Sequence, residues 1–271
     1  MEKISVCIVA YNEEKLIERC LQSVHGFADE IILVHDGECA DRTLEIAKKF
    51  TDKIFILPHI GIAEPHRSFS YREASGDWIL QLDADEYIEK DEYPKIRDLV
   101  QNGTADGYWL KWEMWDGKNP IHHDGLKKLV LFRKDKASNL GIPQRAVTVN
   151  GKTVDCDVFV RHRPSAENIS WGFFLKKMNY WLESNVKYYF PELVKYECFN
   201  TTIDSWLEYT KKVRRYILFF LIFYPLKNFV GQLKNGLWKS WLGINMAAQQ
   251  YVYYFSLYLR IWKMKTKLKL P

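Results

Sequence analysis

A chain of 271 residues and 32.2 kDa, 47% hydrophobic, has room for one large domain or one domain with an appendage, and is too apolar to be disordered. Its net charge of +5 hides an asymmetry: Tyr209 to Pro271 holds 12 Lys and Arg and no acid, leaving 27 basic against 34 acidic side chains upstream. Five cysteines, an odd number with no CxxC pair, argue against a disulfide framework or a cysteine zinc site and read as reduced, mostly buried thiols.

The N-terminal "MEKISVCIVAYNEE" enters a strand directly, with no basic stretch ahead of a long apolar one, so no signal peptide is expected. "ISVCIVA" (Ile4 to Ala10) is a continuous apolar run of the kind buried on both faces of a parallel sheet. Asn12 is a candidate cap for a helix with Leu16, Cys20, Leu21 and Val24 on one face. "EIILV" (Glu30 to Val34) is a second strand, and Asp41 is placed to cap a helix with Leu44, Ala47 and Phe50 inward. "KIFIL" (Lys53 to Leu57) is a third strand. A helix through Phe69, Arg72 and Ala74 leads to a fourth, "WILQL" (Trp78 to Leu82). This rhythm predicts βαβ units and a mainly parallel sheet, with all four strands ending on one edge.

The middle section changes style. "DGYWLKWEM" (Asp106 to Met114), "KLVLFRK" (Lys128 to Lys134) and "KTVDCDVFVRHRP" (Lys152 to Pro164) are β-rich and partly alternating. They predict mixed or antiparallel strands extending the sheet, the last of them a strand pair or meander. From Ala166 onward helical spacing takes over, rich in aromatics: six of the ten tryptophans lie beyond residue 170. The predicted organisation is a domain over 1–165, divided at 105/106, and a helical region over 166–271.

Ligands of open α/β sheets bind outside the carboxyl ends of the strands. The residues just past the four strands are Tyr11-Asn12-Glu13, His35-Asp36-Gly37, Pro58-His59 and Asp83-Ala84-Asp85. Taken alone, the acids after the fourth strand read as a solvated turn. Gathered on the rim of an expected ligand crevice beside another acid, Asp36, they keep company that a solvated turn does not require.

Three separated motifs, "SVCIVAYNEEKLIERCLQSV", "ADEIILVHDGECADRTLEIAKKF" and "REASGDWILQLDADEYI", resemble family 2 glycosyltransferases of GT-A fold, closely over residues 3 to 90 and loosely to about 165. The nearest subgroup in pattern adds sugars to lipopolysaccharide core and related cell-surface glycans. The resemblance implies a nucleotide-sugar half (1–105), an acceptor half (106–165), and a metal-dependent inverting transfer using Mn²⁺ or Mg²⁺ and a UDP-hexose donor. It implies that Ala10, Tyr11 and Glu13 line the base and ribose pocket and that Asp36 hydrogen-bonds the base. Asp83 and Asp85 stand for the DxD pair, the first facing ribose and metal and the second ligating the metal, with small Ala84 leaving room between them. Arg67 resembles the basic residue ahead of that motif, although pairing with Glu64 or Glu73 is the plainer reading. His162, flanked by Arg161 and Arg163, resembles a histidine that reaches the metal or diphosphate; the alternative is an exposed basic turn. His35 departs from the family pattern, which has an acid there. Pro143-Gln144-Arg145 stands where relatives often carry a His-Glu pair.

An inverting transfer needs a base about 3 Å from the acceptor hydroxyl. The candidates are Glu113, Asp116, Asp124, Asp155 and Asp157, with Asp124 favoured. His122-His123 does not read as a zinc site, because adjacent residues rarely ligate one ion together.

The apolar run Tyr216 to Leu226 follows four cations and rises only about 16 Å, where a bilayer span needs about 20 residues. Aromatics beside Lys and Arg predict a helix in an anionic membrane interface, with a second aromatic helix over Tyr251 to Trp262. The expected place is peripheral, on the cytoplasmic face, with a glycan or lipid-linked acceptor and no nucleic acid. Two other readings remain: a nucleotidyltransferase, and a nucleic-acid binder using the basic tail.

Overall fold

The computed structural model describes residues 1–115, 117–121, 126–164, 170–239 and 241–270. They form two compact units, one of residues 1–115, 117–121, 126–164 and 196–201, the other of 170–195, 202–239 and 241–270.

The first unit opens with β1 (Ile4–Ala10), α1 (Ile17–His25), β2 (Glu30–Asp36), α2 (Thr43–Ala47), β3 (Ile54–Leu57), α3 (Glu64–Glu73) and β4 (Trp78–Asp83). Then come β5 (Glu86–Tyr87), α4 (Tyr93–Asn102), β6 (Gly107–Trp115), β7 (Pro120–Ile121) and β8 (Lys127–Arg133). It closes with β9 (Ala137–Ser138), β10 (Thr148–Val149) and β11 (Thr153–His162). The main sheet runs β3-β2-β1-β4-β8-β6-β11-β5, with β7 on β6. β1 to β4 are mutually parallel, β8 is antiparallel to both β4 and β6, and β11 is parallel to β6. This is the mixed, mainly parallel sheet of a GT-A fold.

Period-two alternation splits the strand side chains between two cores. Val6, Ile8, Leu33, Leu80 and Leu82 pack with Ile17, Leu21 and Val24 of α1 and Ile96 and Val100 of α4. Cys7, Ile32, Val34 and Ile79 face the other way, onto Tyr71, Ala74 and Phe132. Covered on both faces, β1, β2 and β4 are largely apolar, with Ser5, His35, Asp36 and Gln81 as buried polar exceptions.

Three local expectations change. Asn12 does not cap α1: its φ is +53°, a left-handed state Asn tolerates, and its side chain accepts from Ala40 N at 2.9 Å. Asp41 is not the cap residue of α2, which is Arg42, but its side chain accepts from Thr43 N at 2.9 Å and Thr43 Oγ1 at 2.6 Å just ahead of it. The segment read as a strand pair is one ten-residue strand, β11, interrupted by a register shift between Asp155 and Phe159. Its exposed first half made it look like two elements.

The second unit contains α5 (Trp171–Lys187), α6 (Asp204–Arg215), α7 (Ile217–Lys234) and α8 (Trp241–Lys267). Leu182, Val186, Trp206, Val213, Phe220, Ala247, Leu257, Tyr258 and Ile261 are buried. Gly243 allows α8 to begin against Leu237, whose carbonyl oxygen an added Cβ would meet at 2.2 Å. On α7, Leu218, Phe219, Ile222, Phe223 and Leu226 are instead 51–59% exposed, at the i, i+1, i+4, i+5, i+8 spacing of one helix face. Among the described residues no single helix is long and apolar enough to cross a membrane; α6 and α7 together pass on length and composition but are bent by 105°.

Candidate active site

Parallel pairing carries the ends of β1, β2 and β3 to one edge, where their loops are stitched together. His35, fully buried, accepts from Asn12 N through Nε2 at 3.2 Å and meets Gly37 O through Nδ1 at 2.8 Å. An amide can only donate and a carbonyl only accept, so the partners assign His35 as the neutral Nδ1–H tautomer. Glu13 N donates to Thr43 Oγ1 at 2.6 Å and Glu14 N to Asp41 Oδ2 at 3.0 Å, joining the first loop to the start of α2. Tyr11 projects from this rim, 48% exposed, its ring 4.7 Å from that of His59.

Asp36 is turned inward. Its Oδ1 accepts from Ile60 N at 2.7 Å and His66 Nε2 at 2.8 Å, while Oδ2 accepts from Gly61 N at 2.8 Å and lies 3.2 Å from His59 Nδ1. Burial pushes its pKa up, but the His66, Ile60 and Gly61 hydrogen bonds outweigh this and hold the carboxyl below its ordinary value.

The antiparallel register of β8 on β4 pairs Trp78 with Arg133 and Leu80 with Leu131, and extended further it brings Lys128 beside Asp83. Lys128 Nζ lies 3.1 Å from Asp83 Oδ2 and 2.5 Å from Glu86 Oε1, and Arg67 bonds Asp83 Oδ1. Glu86, fully buried, also accepts from Asp83 N at 3.0 Å and Trp112 Nε1 at 2.7 Å. Burial opposes ionisation of Asp83, yet Arg67 and Lys128 prevail and keep it far below the ordinary carboxylate range. At Glu86 burial wins over Lys128, with Asp83 adding to it, so its pKa is raised. Two cations and two carboxylates thus share one cluster, partly exposed at Asp83, Arg67 and Lys128 and buried at Glu86.

β5 pairs antiparallel with the end of β11, Glu86 against His162 and Tyr87 against Arg161. This brings the turn after β4 to β11: Arg163 N donates to Asp85 O at 2.9 Å, and His162 Nε2 lies 3.1 Å from Asp85 Oδ2. Among the described residues His162 Nδ1 is buried without a hydrogen bond. Arg161 and Arg163 both bond the buried Glu113 carboxylate, and Arg163 stacks 4.6 Å from the Trp115 ring.

A family model described as glycosyl transferase family 2 matches residues 5–163, a span that contains every site residue above. The chain belongs to glycosyl transferase family 2. Among relatives of this family 2 chain, an uncharacterised glycosyltransferase of Rickettsia typhi is 30% identical over 172 residues, covering 59% of this chain and 54% of the relative. A poly(ribitol-phosphate) β-N-acetylglucosaminyltransferase of Staphylococcus aureus is 27% identical over 128 residues, covering 44% of this chain and 22% of the relative. The chain spans about half the length of the first of these. The S. aureus TarS 1–349 structure with UDP-GlcNAc has a TM-score of 0.50 at 13% identity, covering 99% of this chain and 92% of that one, a likeness of fold.

The residues of this family 2 chain that suit a divalent cation are Asp85 and His162. They offer one oxygen and one nitrogen donor 3.1 Å apart, and the orphaned Nδ1 leaves the imidazole without a second partner. Mg²⁺ and its kin take one or two protein ligands and complete their shell with phosphate and water. Among the described residues no group of three or more His, Cys, Asp or Glu side chains is arranged to hold a metal. Asp83 does not fit as a ligand, because each of its oxygens already holds a cation.

Other expectations shift as well. Arg67 pairs with Asp83, not with Glu64 or Glu73 as a plain surface ion pair. Ala10 and Ala84 are 3% and 5% exposed and belong to the apolar core, so neither side chain lines an open pocket. The Asp36 carboxylate accepts three hydrogen bonds, from Ile60 N, Gly61 N and His66 Nε2, and lies beside His59, so it is committed to its own loop and to α3. Of the general-base candidates, Glu113 is taken by two guanidiniums. Asp155 and Asp157 pair with Lys127 and Lys111 and stand five or more strand residues before His162, roughly 16 Å or more away. Asp116, Asp124 and the His122-His123 pair lie outside the described residues. Lys128 and Trp112 were missed. A lysine at a strand start resembles any solvated charge, and only the β4–β8 register reveals what it faces.

Proposed function

We propose that this chain is a metal-dependent inverting glycosyltransferase that moves a sugar, from UDP-hexose as the first choice, to a glycan or lipid-linked acceptor of cell-surface polysaccharide or lipopolysaccharide assembly. The observation that carries the reading is the turn after β4, where Asp85 meets His162 while Arg67 and Lys128 close on Asp83. Asp85 and His162 hold Mn²⁺ or Mg²⁺, which when bound supplies Lewis-acid charge neutralisation to a leaving diphosphate. Asp83 fixes Arg67 and Lys128 as cationic counterparts at the same rim. Glu86 positions Lys128 and Trp112 from beneath. Tyr11 and His59 form the exposed aromatic edge available to a nucleobase, and Asp36 acts behind them by shaping the His59–Gly61 loop.

A panel of nucleotide-sugars, screened for metal-dependent thermal stabilisation, tests this. The name of the S. aureus relative puts N-acetylglucosamine donors beside hexose donors in that panel. A true donor at a hundred times its Kd stabilises by about 2.7 kcal/mol. Stabilisation by no nucleotide-sugar, with either metal, would overturn the reading.

The helical unit supports a second element of the proposal, peripheral attachment to the cytoplasmic face of an anionic membrane. The exposed apolar face of α7 starts directly after Lys211, Lys212, Arg214 and Arg215. At its start a cavity of about 650 Å³ is lined by Tyr216, Phe219 and Trp262 together with Arg215 and Lys265. The chain should co-sediment with phosphatidylserine vesicles, and Phe219→Ser with Phe223→Ser should leave it in the supernatant. Wild type that ignores vesicles yet binds duplex RNA with a steep salt dependence rejects this attachment.

A further inference from the structure

On the α5 side of α8 a second cavity, of about 450 Å³, is bounded by two facing stripes. α5 contributes Leu182, Glu183, Val186 and Lys187; α8 contributes Arg260, Lys263, Met264 and Lys267, at the i, i+3, i+4, i+7 spacing of one helix face. Leu182 and Val186 are buried and with Met264 make an apolar floor. The rim carries four cations and a single acid. Lys187, Lys263 and Lys267 are exposed, and among the described residues none of the three has a carboxylate partner. Arg260 is oriented by a 2.7 Å bond from Nη2 to Asn179 Oδ1 on α5, and Asn185 on α5 bonds the Tyr253 hydroxyl on α8, so the two walls are tied together.

A cavity of this size suits a small ligand. Its chemistry is that of an amphiphile: an apolar floor for hydrocarbon, and converging ammonium and guanidinium groups for an anionic head. Inorganic anions need no apolar floor, and a nonionic hydrophobe leaves four cations facing one another with only Glu183 beside them. We propose that this cleft is a discrete binding site for one anionic phospholipid, the phosphate held by Lys187, Arg260 and Lys263 and the first part of the acyl chain lying on Leu182, Val186 and Met264. The choice of ligand rests on the membrane reading above, but the site is separate from the exposed face of α7. It is a stoichiometric pocket, distinct from diffuse adsorption.

Calorimetric titration of the full chain with monomeric dihexanoylphosphatidic acid, below its micelle concentration, tests the pocket without a membrane. The expected result is saturable binding at one site per chain, weakened about thirtyfold by Lys187→Gln with Lys263→Gln. Both lysines are exposed, so the variant should melt like wild type, and its vesicle sedimentation should fall by less than about twofold, since α7 is intact. Phe219→Ser with Phe223→Ser should do the reverse, losing vesicles and keeping the monomer. Equal affinity of wild type and the lysine variant overturns the pocket, as does binding of inorganic phosphate as tight as that of the lipid, which marks a free-phosphate site. Wild type that binds vesicles but not the monomer sinks the pocket alone; wild type that binds the monomer but ignores vesicles sinks the α7 reading alone.

Discussion

The two edges of the parallel strands use the same residue types to opposite ends. At the edge where the strands begin, Glu30 accepts from Ser5 Oγ, Ser75 N and Ser75 Oγ and pairs with Lys53. Nearby Glu2 bonds Arg133 and Trp78 Nε1, and Asp29 bonds Ile4 N and Arg97. Each of these acids has one cation and a set of donors that completes it. At the edge where the strands end, Asp83 holds two cations, Glu113 holds two more, and Glu86 is buried with a raised pKa. There Arg67 Nε, Arg161 Nε and His162 Nδ1 are buried without a hydrogen bond. Unsatisfied buried groups are rare because each costs about 1–3 kcal/mol. Three of the five such side-chain atoms among the described residues lie at this edge, where the proposed site stands.

The sharpest way to break this contrast is Asp85→Ala. Transfer should fall by about a hundred- to a thousandfold with melting unchanged, because a rim carboxylate contributes little to the core. Near-wild-type turnover at saturating Mg²⁺ or Mn²⁺ would remove Asp85 from the chemistry.

Lys128→Met should act on stability and function together. Leaving Asp83 and Glu86 with Arg67 alone costs about 3 kcal/mol at neutral pH. Lys128 helps hold the Asp83 carboxyl down, and that share of the stabilisation persists until the pH falls far below the ordinary carboxylate range; Glu86, raised by burial despite Lys128, protonates first and gives up its share at higher pH. Urea titrations from pH 7 to pH 3 should show the deficit beginning to close as Glu86 protonates; a deficit constant over this range would mean Lys128 does not act through Glu86.

Asp36→Ala leaves two loop amides and His66 without their acceptor, for about 2 kcal/mol. Donor affinity should weaken along with stability. If titration with UDP shows weaker binding while urea unfolding is unchanged, Asp36 contacts the ligand and not the loop.

Glu30→Gln is the smallest and belongs to the other edge. Burial raises the Glu30 carboxyl, but Lys53 and the Ser5 and Ser75 donors outweigh it and bring it to about 2. A depressed carboxyl stabilises above its unfolded value of about 4.3 and ceases to as the pH falls through 2. The variant should lose about 1 kcal/mol at pH 7, converge with wild type in acid, and transfer sugar normally. A loss of transfer would show that the two edges are not separable.

How much of this was legible follows from what each residue has to satisfy. β1 to β4 could be read because strands covered on both faces admit little but Ile, Val, Leu and Cys, and the covering helices show their own period. The run on α7 was legible as an aromatic, apolar helix beside Lys and Arg, and its exposed face is the one that a membrane-interface reading calls for. Contacts set by register were hidden. Lys128 meets Asp83 only through antiparallel pairing of β8, and His162 meets Asp85 only because the two-residue β5 folds back on β11. Asn12 misled because a short polar side chain before a helix serves equally as a cap or in a left-handed turn. Asp36 was placed on the right rim, but its side chain points under it, a choice that residue type alone does not encode.

The pairing of β5 with β11 also has a consequence in time. Asp85 and His162 are 77 residues apart, and β11 is the last strand of the sheet in chain order. During synthesis the first four strands and their helices emerge with every apolar contact of the β1–α1–β4 core available, so that scaffold is free to form early. The partner of Asp85 leaves the ribosome later, at roughly 5–20 residues per second, several seconds after the turn itself. A chain interrupted before Thr153 thus carries the acidic turn but not the imidazole that completes it. On the proposed assignment, the cation site is complete only with the closing strand.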